Sequence, residues 1–446
     1  MSEPNYKDQY AVVVGLGKTG FSLARHLRAR GARVAVTDTR AEPPYRAQLA
    51  QLDAAIPVVT GKLDAGLLEG AQLLAVSPGV SLDDPFFVTA RAYQLLPVGD
   101  IELFAREARA PILGITGTNG KSTVTSLVAA MARRAGLKVR VGGNLGEPAL
   151  ELLDASAELY VLELSSFQID LIEQLPLVAA TILNVTPDHL DRYGSMERYA
   201  ASKQRILAHA RVAVLNLDDP YVAAMPTPYQ QRVGFTTADV VGADYQLLQR
   251  SEGTWLAHAG RPLLALADMK MVGLHNAANA LAALALGAAA GLSEAVMLEE
   301  LRHFAGLAHR AQWVADVRGV RYVNDSKGTN IGATLAAVQG LSGPLLMILG
   351  GEGKGQDFAP LAPAFRGKVR RALLIGRDAR RIAEALAGVC PLQHCATLAE
   401  AVRAAAEHAQ PGDTVLLSPA CASLDMFRDY AHRGASFAAA VQELAA

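Results

Sequence analysis

Two groups of residues in this chain have the types and spacing for chemistry on a phosphate. Thr116-Gly117-Thr118-Asn119-Gly120-Lys121-Ser122-Thr123 follows the apolar run Ile112-Leu113-Gly114-Ile115 and opens onto 124–134, whose apolar residues recur at helical spacing. A strand-to-helix turn of this kind aims backbone N–H groups and the partial positive charge of a helix start at an anion. Lys121 would reach the outer phosphates and the Ser122 hydroxyl would hold Mg²⁺. The strict pattern G-x-x-x-x-G-K-[ST] is not met, since Ile115 stands at its first glycine, so a Gly/Thr-rich turn without a ligand stays open as the alternative. The second group sits at strand ends further on. Glu163 heads Glu163-Leu164-Ser165-Ser166-Phe167-Gln168 and is placed to be one of the few oxygen ligands that Mg²⁺ takes from protein beside water and phosphate; a solvated edge carboxylate is the other reading. His189 lies in Asn184-Val185-Thr186-Pro187-Asp188-His189-Leu190-Asp191, flanked by acids, and is either a ligand or a satisfied polar residue. Lys203, within 199–205, reads as an ordinary lysine on a helix surface, with a pKa near ~10.4.

Nearer the start, Gly15-Leu16-Gly17-Lys18-Thr19-Gly20 follows a strand expected over 10–14, and a second strand over 33–37 ends at Asp38. This is the G-x-G-x-x-G fingerprint with an acid about 20 positions on. It describes a tight turn, a close backbone approach to phosphate and close helix packing, so any nucleotide diphosphate could use it. Ser77-Pro78-Gly79-Val80 ends a further strand over 72–76, at the sheet edge where ligands of open α/β sheets sit. In the last third, three more loops close strands: Asn324-Asp325-Ser326-Lys327-Gly328-Thr329-Asn330, Gly350-Gly351-Glu352-Gly353-Lys354-Gly355 and Ser418-Pro419-Ala420-Cys421-Ala422-Ser423-Leu424-Asp425. Two carry lysines, and together they look like a pocket for a small anion such as a dicarboxylate, since cations aimed at a carboxylate make charge-assisted hydrogen bonds.

The elements that must position these loops alternate. Strands are expected over 139–141, 159–162, 179–183 and 211–215 in the middle, and over 320–324, 345–349, 372–375 and 414–417 at the end, with an alanine-rich helix over 277–292 after Gly273-Leu274-His275-Asn276. Strand–helix alternation in all three parts argues for three α/β domains with largely parallel sheets. They are a Rossmann-like domain over 1–98, a central phosphate-loop domain over 99–306 and a C-terminal Rossmann-like domain over 307–446. The 446 residues, 51% apolar and 19% charged, suffice for such cores, and length alone suggests about three domains. No apolar run reaches ~18 residues and no basic stretch leads into a hydrophobic one at the start, so neither a membrane span nor a secretory signal is expected. Cys390, Cys395 and Cys421 do not make a disulfide framework, which points to the cytoplasm. A net charge of −1 gives no reason to expect nucleic acid. Nothing resembling a heptad seam demands a partner, so a monomer is expected.

Taken together, these runs resemble the Mur ligase family, ATP-dependent enzymes that add amino acids to the peptidoglycan precursor. The resemblance covers the whole chain. It rests on 116–122, 163–166, 184–191, Leu274-His275-Asn276, His309-Arg310 and Asp325-Ser326-Lys327. Within the family, the loops at 15–20, 324–330 and 418–425 resemble those of the D-glutamate-adding members, and the Asp-Asn-Pro-Arg motif of diaminopimelate-adding members is absent. The resemblance implies a reaction in cell-wall synthesis. ATP phosphorylates the terminal carboxylate of UDP-N-acetylmuramoyl-L-alanine and the amine of D-glutamate attacks the acyl phosphate. It further implies two Mg²⁺ ions, one on Ser122 and Glu163 and the other on His189 and Lys203. A protonated lysine cannot bind Mg²⁺, so Lys203 is expected to carry a CO₂-derived carbamate. Lys121 and His189 are the implied stabilisers of charge on the transferring group.

By matched position, the UDP moiety falls to Gly17, Lys18, Thr19, Asp38, Thr39, Arg40, Ser77, Pro78 and Gly79, with Asn144 and His189 nearer the reaction. ATP falls to Gly117, Thr118, Asn119, Gly120, Lys121, Ser122, Thr123, Asn276, Arg310 and Asp325. D-Glutamate falls to Lys327, Thr329, Lys354, Ser423, Leu424 and Tyr430. Assembling the site then requires the third domain to close on the second. Three other readings compete. A nicotinamide oxidoreductase would leave the phosphate loop and the last three loops unexplained. A non-catalytic ATP switch needs neither a dicarboxylate pocket nor a UDP domain. A sister ligase with another amino acid is the nearest rival.

Overall fold

The computed structural model describes residues 6–227, 230–271, 273–341 and 343–445. Part of the expectation about a secretory signal falls on residues 1–5, outside those described. Three sheets follow one another along the chain. The first is formed by β1 (Tyr10–Val14), β2 (Arg33–Asp38), β3 (Val58–Thr60), β4 (Leu73–Val76) and β5 (Pro97–Val98), all parallel, in the order β3-β2-β1-β4-β5. This is the doubly wound order, in which the chain reverses direction between β1 and β4 and leaves a crevice beyond their carboxyl ends. Ala11–Val14 are wholly buried, as a parallel strand covered on both faces must be. The glycine loop follows from packing. Gly15 has φ +88°, and a Cβ on Gly20 would fall 1.8 Å from the Gly15 carbonyl oxygen, so the helix Lys18–Ala29 approaches this closely only because glycine is there.

The second sheet has nine strands: β6 (Ile112–Thr116), β7 (Val139–Gly143), β8 (Leu159–Glu163), β9 (Leu177–Ile182), β10 (Ala210–Asn216), β11 (Gln231–Thr236), β12 (Tyr245–Arg250), β13 (Gly253–His258) and β14 (Arg261–Ala265). Their order is β14-β13-β12-β11-β10-β9-β6-β8-β7. From β7 to β12 the neighbours are parallel, and β12, β13 and β14 pair antiparallel. Strands β11–β14 were not legible in the sequence, because they are only half-buried and carry Gln231, Arg232, Gln246, Gln249 and Arg250 among their apolar residues. The alanine-rich helix is Leu274–Ala289, three residues earlier at each end than expected. Leu281–Leu286 of it are essentially fully buried, and its small side chains let it lie against the helix Lys121–Arg134 in one core.

The third sheet comprises β15 (Gln312–Val317), β16 (Val320–Asn324), β17 (Leu345–Gly350), β18 (Val369–Ile375), β19 (Leu392–His394) and β20 (Thr414–Leu417), in the order β15-β16-β20-β17-β18-β19. The run β19-β18-β17-β20 repeats the winding of the first sheet, and β15 pairs antiparallel with β16 at the edge. The sequence reading lacked β15 and β19, both short on buried residues. The fold is thus three α/β units with mostly parallel sheets. Among the described residues no helix is long and apolar enough to cross a membrane.

Candidate active site

The site begins where β6 and β8 end side by side. Ile115 pairs with Glu163 in the sheet register, so the phosphate loop and the Glu163 carboxylate leave the same edge together. Gly117 has φ +147° and Gly120 φ +85°. A Cβ on Gly117 would lie 3.1 Å from Leu183 N and 3.2 Å from Asn184 N, and one on Gly120 2.6 Å from Asn279 Oδ1. Both conformation and space therefore demand glycine. Thr118 N–H donates to Asn184 O at 2.9 Å and Asn119 N–H to Asn184 Oδ1 at 2.8 Å, which pins the loop to the end of β9. Lys121 Nζ curls back to donate to Gly117 O (2.9 Å) and Thr118 O (2.8 Å). Ser122 Oγ donates to Glu163 Oε2 at 2.6 Å, and Asn144 Nδ2 donates to Glu163 Oε1 at 2.6 Å. Arg310, from the start of the third unit, donates from Nη2 to Ser122 Oγ at 2.7 Å.

Lys203 is not the surface lysine that its sequence context suggests. It is 1% exposed, its Nζ donates to Gly117 O at 3.1 Å, and it lies 4.6 Å from the centre of the Tyr199 ring. Burial, and next the like charge of Lys121, push its pKa well below that of an ordinary lysine, against the opposing pull of Asp188, Asp170 and Glu163. Burial lowers the Lys121 pKa too, against Glu163 and Asp188. His189 caps the short helix Leu190–Tyr193 in a left-handed conformation (φ +52°). Its ring meets Phe167 edge-on at 4.8 Å, Asp188 lies 3.8 Å from its Nε2, and burial lowers its pKa.

Two cavities flank this cluster. One, of 360 Å³, runs from the first unit to the second. It brings together Lys18, Thr19, Ser77, Pro78 and Gly79 with Lys121, Asn144, His189 and Lys203, and adds Phe167 and Tyr199. Gly17, Asp38, Thr39 and Arg40 are not in its lining. Asp38 is 2% exposed and its carboxylate is engaged: it accepts from Leu16 N–H at 2.6 Å and from Arg40 Nη2 at 2.6 Å. Burial opposes ionisation there, but the hydrogen bonds from Arg40 and Leu16 outweigh it and hold the carboxyl below its ordinary value. Asp38 thus braces the glycine loop rather than presenting a free carboxylate.

The other cavity, of 480 Å³, lies between the second and third units. Asn119, Gly120, Thr123, Asn276, Arg310 and Asp325, assigned from sequence to ATP, line it with Lys327, assigned to D-glutamate, and so do Asn184, Asn216, Asp218, Thr237 and Asn279. The last five were not assigned roles from sequence. Asn216 and Asp218 stand at the end of β10, a strand expected from sequence, where a strand-end rule would have found them; Thr237 follows β11, which was not legible. Asp325 accepts from Ser418 Oγ (2.8 Å) and Ala311 N–H (3.1 Å), and burial raises its pKa to about 6. Burial, followed by the charge of Arg310, lowers the Lys327 pKa to about 8; its Nζ sits 4.0 Å from the Tyr430 ring centre. Thr329, Lys354, Ser423, Leu424 and Tyr430 line neither cavity. Leu424 is 66% exposed, whereas Ser423 is buried. Their three loops are tied together by a residue that sequence gave no sign of. Arg433, fully buried, donates from Nε to Ser326 Oγ (3.0 Å), from Nη2 to Ser326 O (2.7 Å) and from Nη1 to Cys421 O (3.1 Å).

Among the described residues no three His, Cys, Asp or Glu side chains converge into a metal cage. The hard oxygens of Ser122 and Glu163 are the kind of sparse ligand set that takes Mg²⁺ together with phosphates. An imidazole and an amine, as His189 and Lys203 stand, do not make such a set.

Family models match most of the chain. A Mur ligase MurD-like N-terminal domain matches residues 9–99, a Mur ligase middle domain 115–287, and a Mur ligase glutamate ligase domain 309–421. A Nitrosococcus oceani protein named UDP-N-acetylmuramoylalanine--D-glutamate ligase is 48% identical over 437 residues, 97% of this chain and 96% of its own length. A Pseudomonas aeruginosa protein of the same name is 49% identical over 442 residues, 98% and 99% of the two chains. Among solved structures, UDP-N-acetylmuramate-alanine ligase MurC of Thermotoga maritima superposes with a TM-score of 0.60 at 20% identity, over 98% of this chain and 99% of its own. A pseudomurein peptide ligase type C from Methanothermus fervidus does so with a TM-score of 0.61 at 17%, over 98% and 100%. At such identities these last two likenesses speak to the fold.

Proposed function

The chain belongs to the Mur ligase family, and from that membership we propose that it joins D-glutamate to UDP-N-acetylmuramoyl-L-alanine at the expense of ATP, in the synthesis of the peptidoglycan precursor. The observation that carries this reading is the cluster of Lys121, Ser122, Glu163, Asn144, His189 and Lys203 between two cavities. One cavity opens to the unit with the glycine loop, the other to the unit with the lysine-bearing loops. We assign residues 1–98 to the UDP-substrate, 99–306 to ATP and 307–446 to the amino acid.

The chemistry follows from the acceptor. A free carboxylate has no leaving group that an amine can displace, so phosphoryl transfer from ATP to its oxygen supplies one. The amine then adds to the acyl carbon and phosphate departs. Glycines 117 and 120 shape the loop, the Thr118 and Asn119 N–H groups stay on Asn184, and the phosphates fall to the N–H groups at the start of the helix Lys121–Arg134, while Lys121 shifts from its own loop carbonyls onto the phosphoryl oxygens. Ser122 and Glu163 would hold Mg²⁺, which supplies positive charge where the transferring group gathers negative charge. Asn144 fixes the second Glu163 oxygen. Arg310 moves from Ser122 to the phosphates, Asn276 faces the base, and Asp325 the ribose. His189 and Asn144 meet the acceptor near its reacting end. Lys18, Thr19 and the 77–79 loop take its nucleotide end, where Gly17 and the Asp38-Thr39-Arg40 brace complete the cradle. Lys327, Lys354 and Ser423 take the two carboxylates of D-glutamate, Thr329 and the Leu424 N–H add donors, and Tyr430 packs over the ligand.

Burial makes the Lys203 amine easier to deprotonate, and a neutral amine adds to CO₂ with loss of a proton to give a carbamate. That group would be the oxygen ligand, with His189, for a second Mg²⁺. ATP, a UDP-linked acceptor and a free amino acid are substrates met in the cytoplasm, where we place the enzyme, as a monomer. The test is phosphate release from Mg-ATP and UDP-N-acetylmuramoyl-L-alanine with D-glutamate, L-glutamate, L-alanine or diaminopimelate offered in parallel. Release with D-glutamate alone is expected; release with another amino acid alone would make the chain a sister ligase, and release with none would overturn the assignment.

A further inference from the structure

Between His189 and Arg192 the chain makes a single turn of helix, Leu190–Tyr193. Arg192 N–H and Tyr193 N–H both donate to His189 O at 3.1 Å, so the imidazole and the guanidinium are carried on one small rigid piece. The guanidinium crosses to the first unit. Its Nη1 donates to Pro78 O at 3.1 Å and its Nη2 to Val80 O at 3.1 Å. On the way it lies over the Phe167 ring, 4.1 Å from its centre, and that ring in turn abuts His189. Ser77, Pro78, Gly79, Phe167 and His189 all line the 360 Å³ cavity. One turn of helix therefore holds both the loop and the imidazole, two parts of the lining of that cavity.

Building on the ligase reading, we propose that Arg192 is a positioning residue that sets the distance between the cradle for the nucleotide end of the acceptor and the groups that act on its carboxylate. The acceptor is long and its two ends are bound by different units. Both ends are satisfied at once only if the units keep one spacing, and a misplacement of about 1 Å costs on the order of a hundredfold in rate. Two charge-assisted hydrogen bonds from a planar fork fix direction as well as distance, and the cation lying on Phe167 fixes the stem of that fork. A lysine at this position could reach only one carbonyl at a time.

The experiment compares the full-length wild type with Arg192→Met, which keeps apolar contact with Phe167, and Arg192→Lys, which keeps charge without the fork. KM is measured for each of the three substrates, and calorimetry measures the affinity for UDP alone, which fills only the cradle. Arg192→Met is expected to raise the acceptor KM roughly ten- to a hundredfold, with Arg192→Lys between. KM for ATP and D-glutamate, and the affinity for UDP alone, should stay within about twofold. An unchanged acceptor KM overturns the proposal. So does UDP binding that weakens as much as acceptor binding, since Arg192 would then merely build the cradle, and so does a parallel rise in all three KM values. If Arg192→Met does not fold, Arg192→Lys is read alone together with amide exchange at Val80, whose N–H donates to Ser77 O at 3.0 Å. Faster exchange than wild type is expected, and equal exchange overturns the latch. A wild type that releases no phosphate defeats the ligase reading instead, and the exchange measurement then judges the latch by itself.

Discussion

At the scale of single residues, burial decides which groups are available for chemistry. Lys203 sits on the same face of its helix as Tyr199, four positions earlier, and that face turns inward, so the amine loses its solvation and with it much of its basicity. Lys203→Ala should lower turnover by about a hundredfold or more, and a short-chain carboxylate such as formate should restore part of it if a carbamate oxygen is what is missing. Near wild-type turnover in that variant would remove the carbamate from the mechanism. Lys327 gives a pH signature. Its pKa is lowered to about 8, so the ammonium is largely charged at pH 7, fully so at lower pH, and is lost as the pH rises past that value. An anionic amino acid needs the charged form. KM for D-glutamate should therefore be flat below neutrality and climb, up to about tenfold per pH unit, above pH about 8. A KM that is level from pH 7 to 9.5 would separate Lys327 from the carboxylates.

At the scale of elements, the two glycine loops do different work with the same residue. In the first unit Gly20 lets a helix lie on a strand-end carbonyl. Gly20→Ala should cost about 2–3 kcal/mol of stability, measured by denaturant unfolding, because the obstructing atom is backbone and cannot rotate away. In the second unit Gly120 shapes the binding loop. Gly120→Ala forces a left-handed alanine, at about 1–2 kcal/mol, and meets the Asn279 side chain, so ATP binding should weaken about tenfold or more while UDP affinity holds. Loss of UDP affinity to the same degree would mean that the substitution disturbs more than the loop. Tight turns of both kinds are written in the sequence as glycine spacing, and that is why both loops were found from sequence. The antiparallel extension β12–β14 was not, since half-buried strands carry mixed residues and lack the apolar runs that mark a covered parallel strand.

At the scale of the whole molecule, the proposed assignment divides the reaction among three units, one reactant to each. The bond from Arg310 to Ser122 shows the third unit laid against the second, and the 480 Å³ cavity takes its walls from both. Units of one chain commonly move on one another, so closure of the third unit is expected to be set by ligands. Small-angle scattering should show a smaller radius of gyration with a non-hydrolysable nucleotide and the acceptor than without them. Identical profiles would mean that closure is not part of the cycle.

The sequence by itself determined that three units of alternating strand and helix follow one another and where most of their strand-end loops fall, because apolar runs and glycine spacing are local properties of the chain. Lys121, Ser122, Glu163 and His189 were legible for that reason: each follows a strand that can be read. The tertiary structure alone decided what happens between units. Asp38 looks in sequence like a contact for the UDP moiety and is found bracing Leu16 and Arg40; Lys203 looks like a surface residue and is buried; Arg433 and Arg192 carry no local signal whatever. A charge's role depends on which backbone carbonyls and carboxylates the fold brings within about 3 Å of it, and partners dozens of residues away leave no mark on its neighbours in the chain.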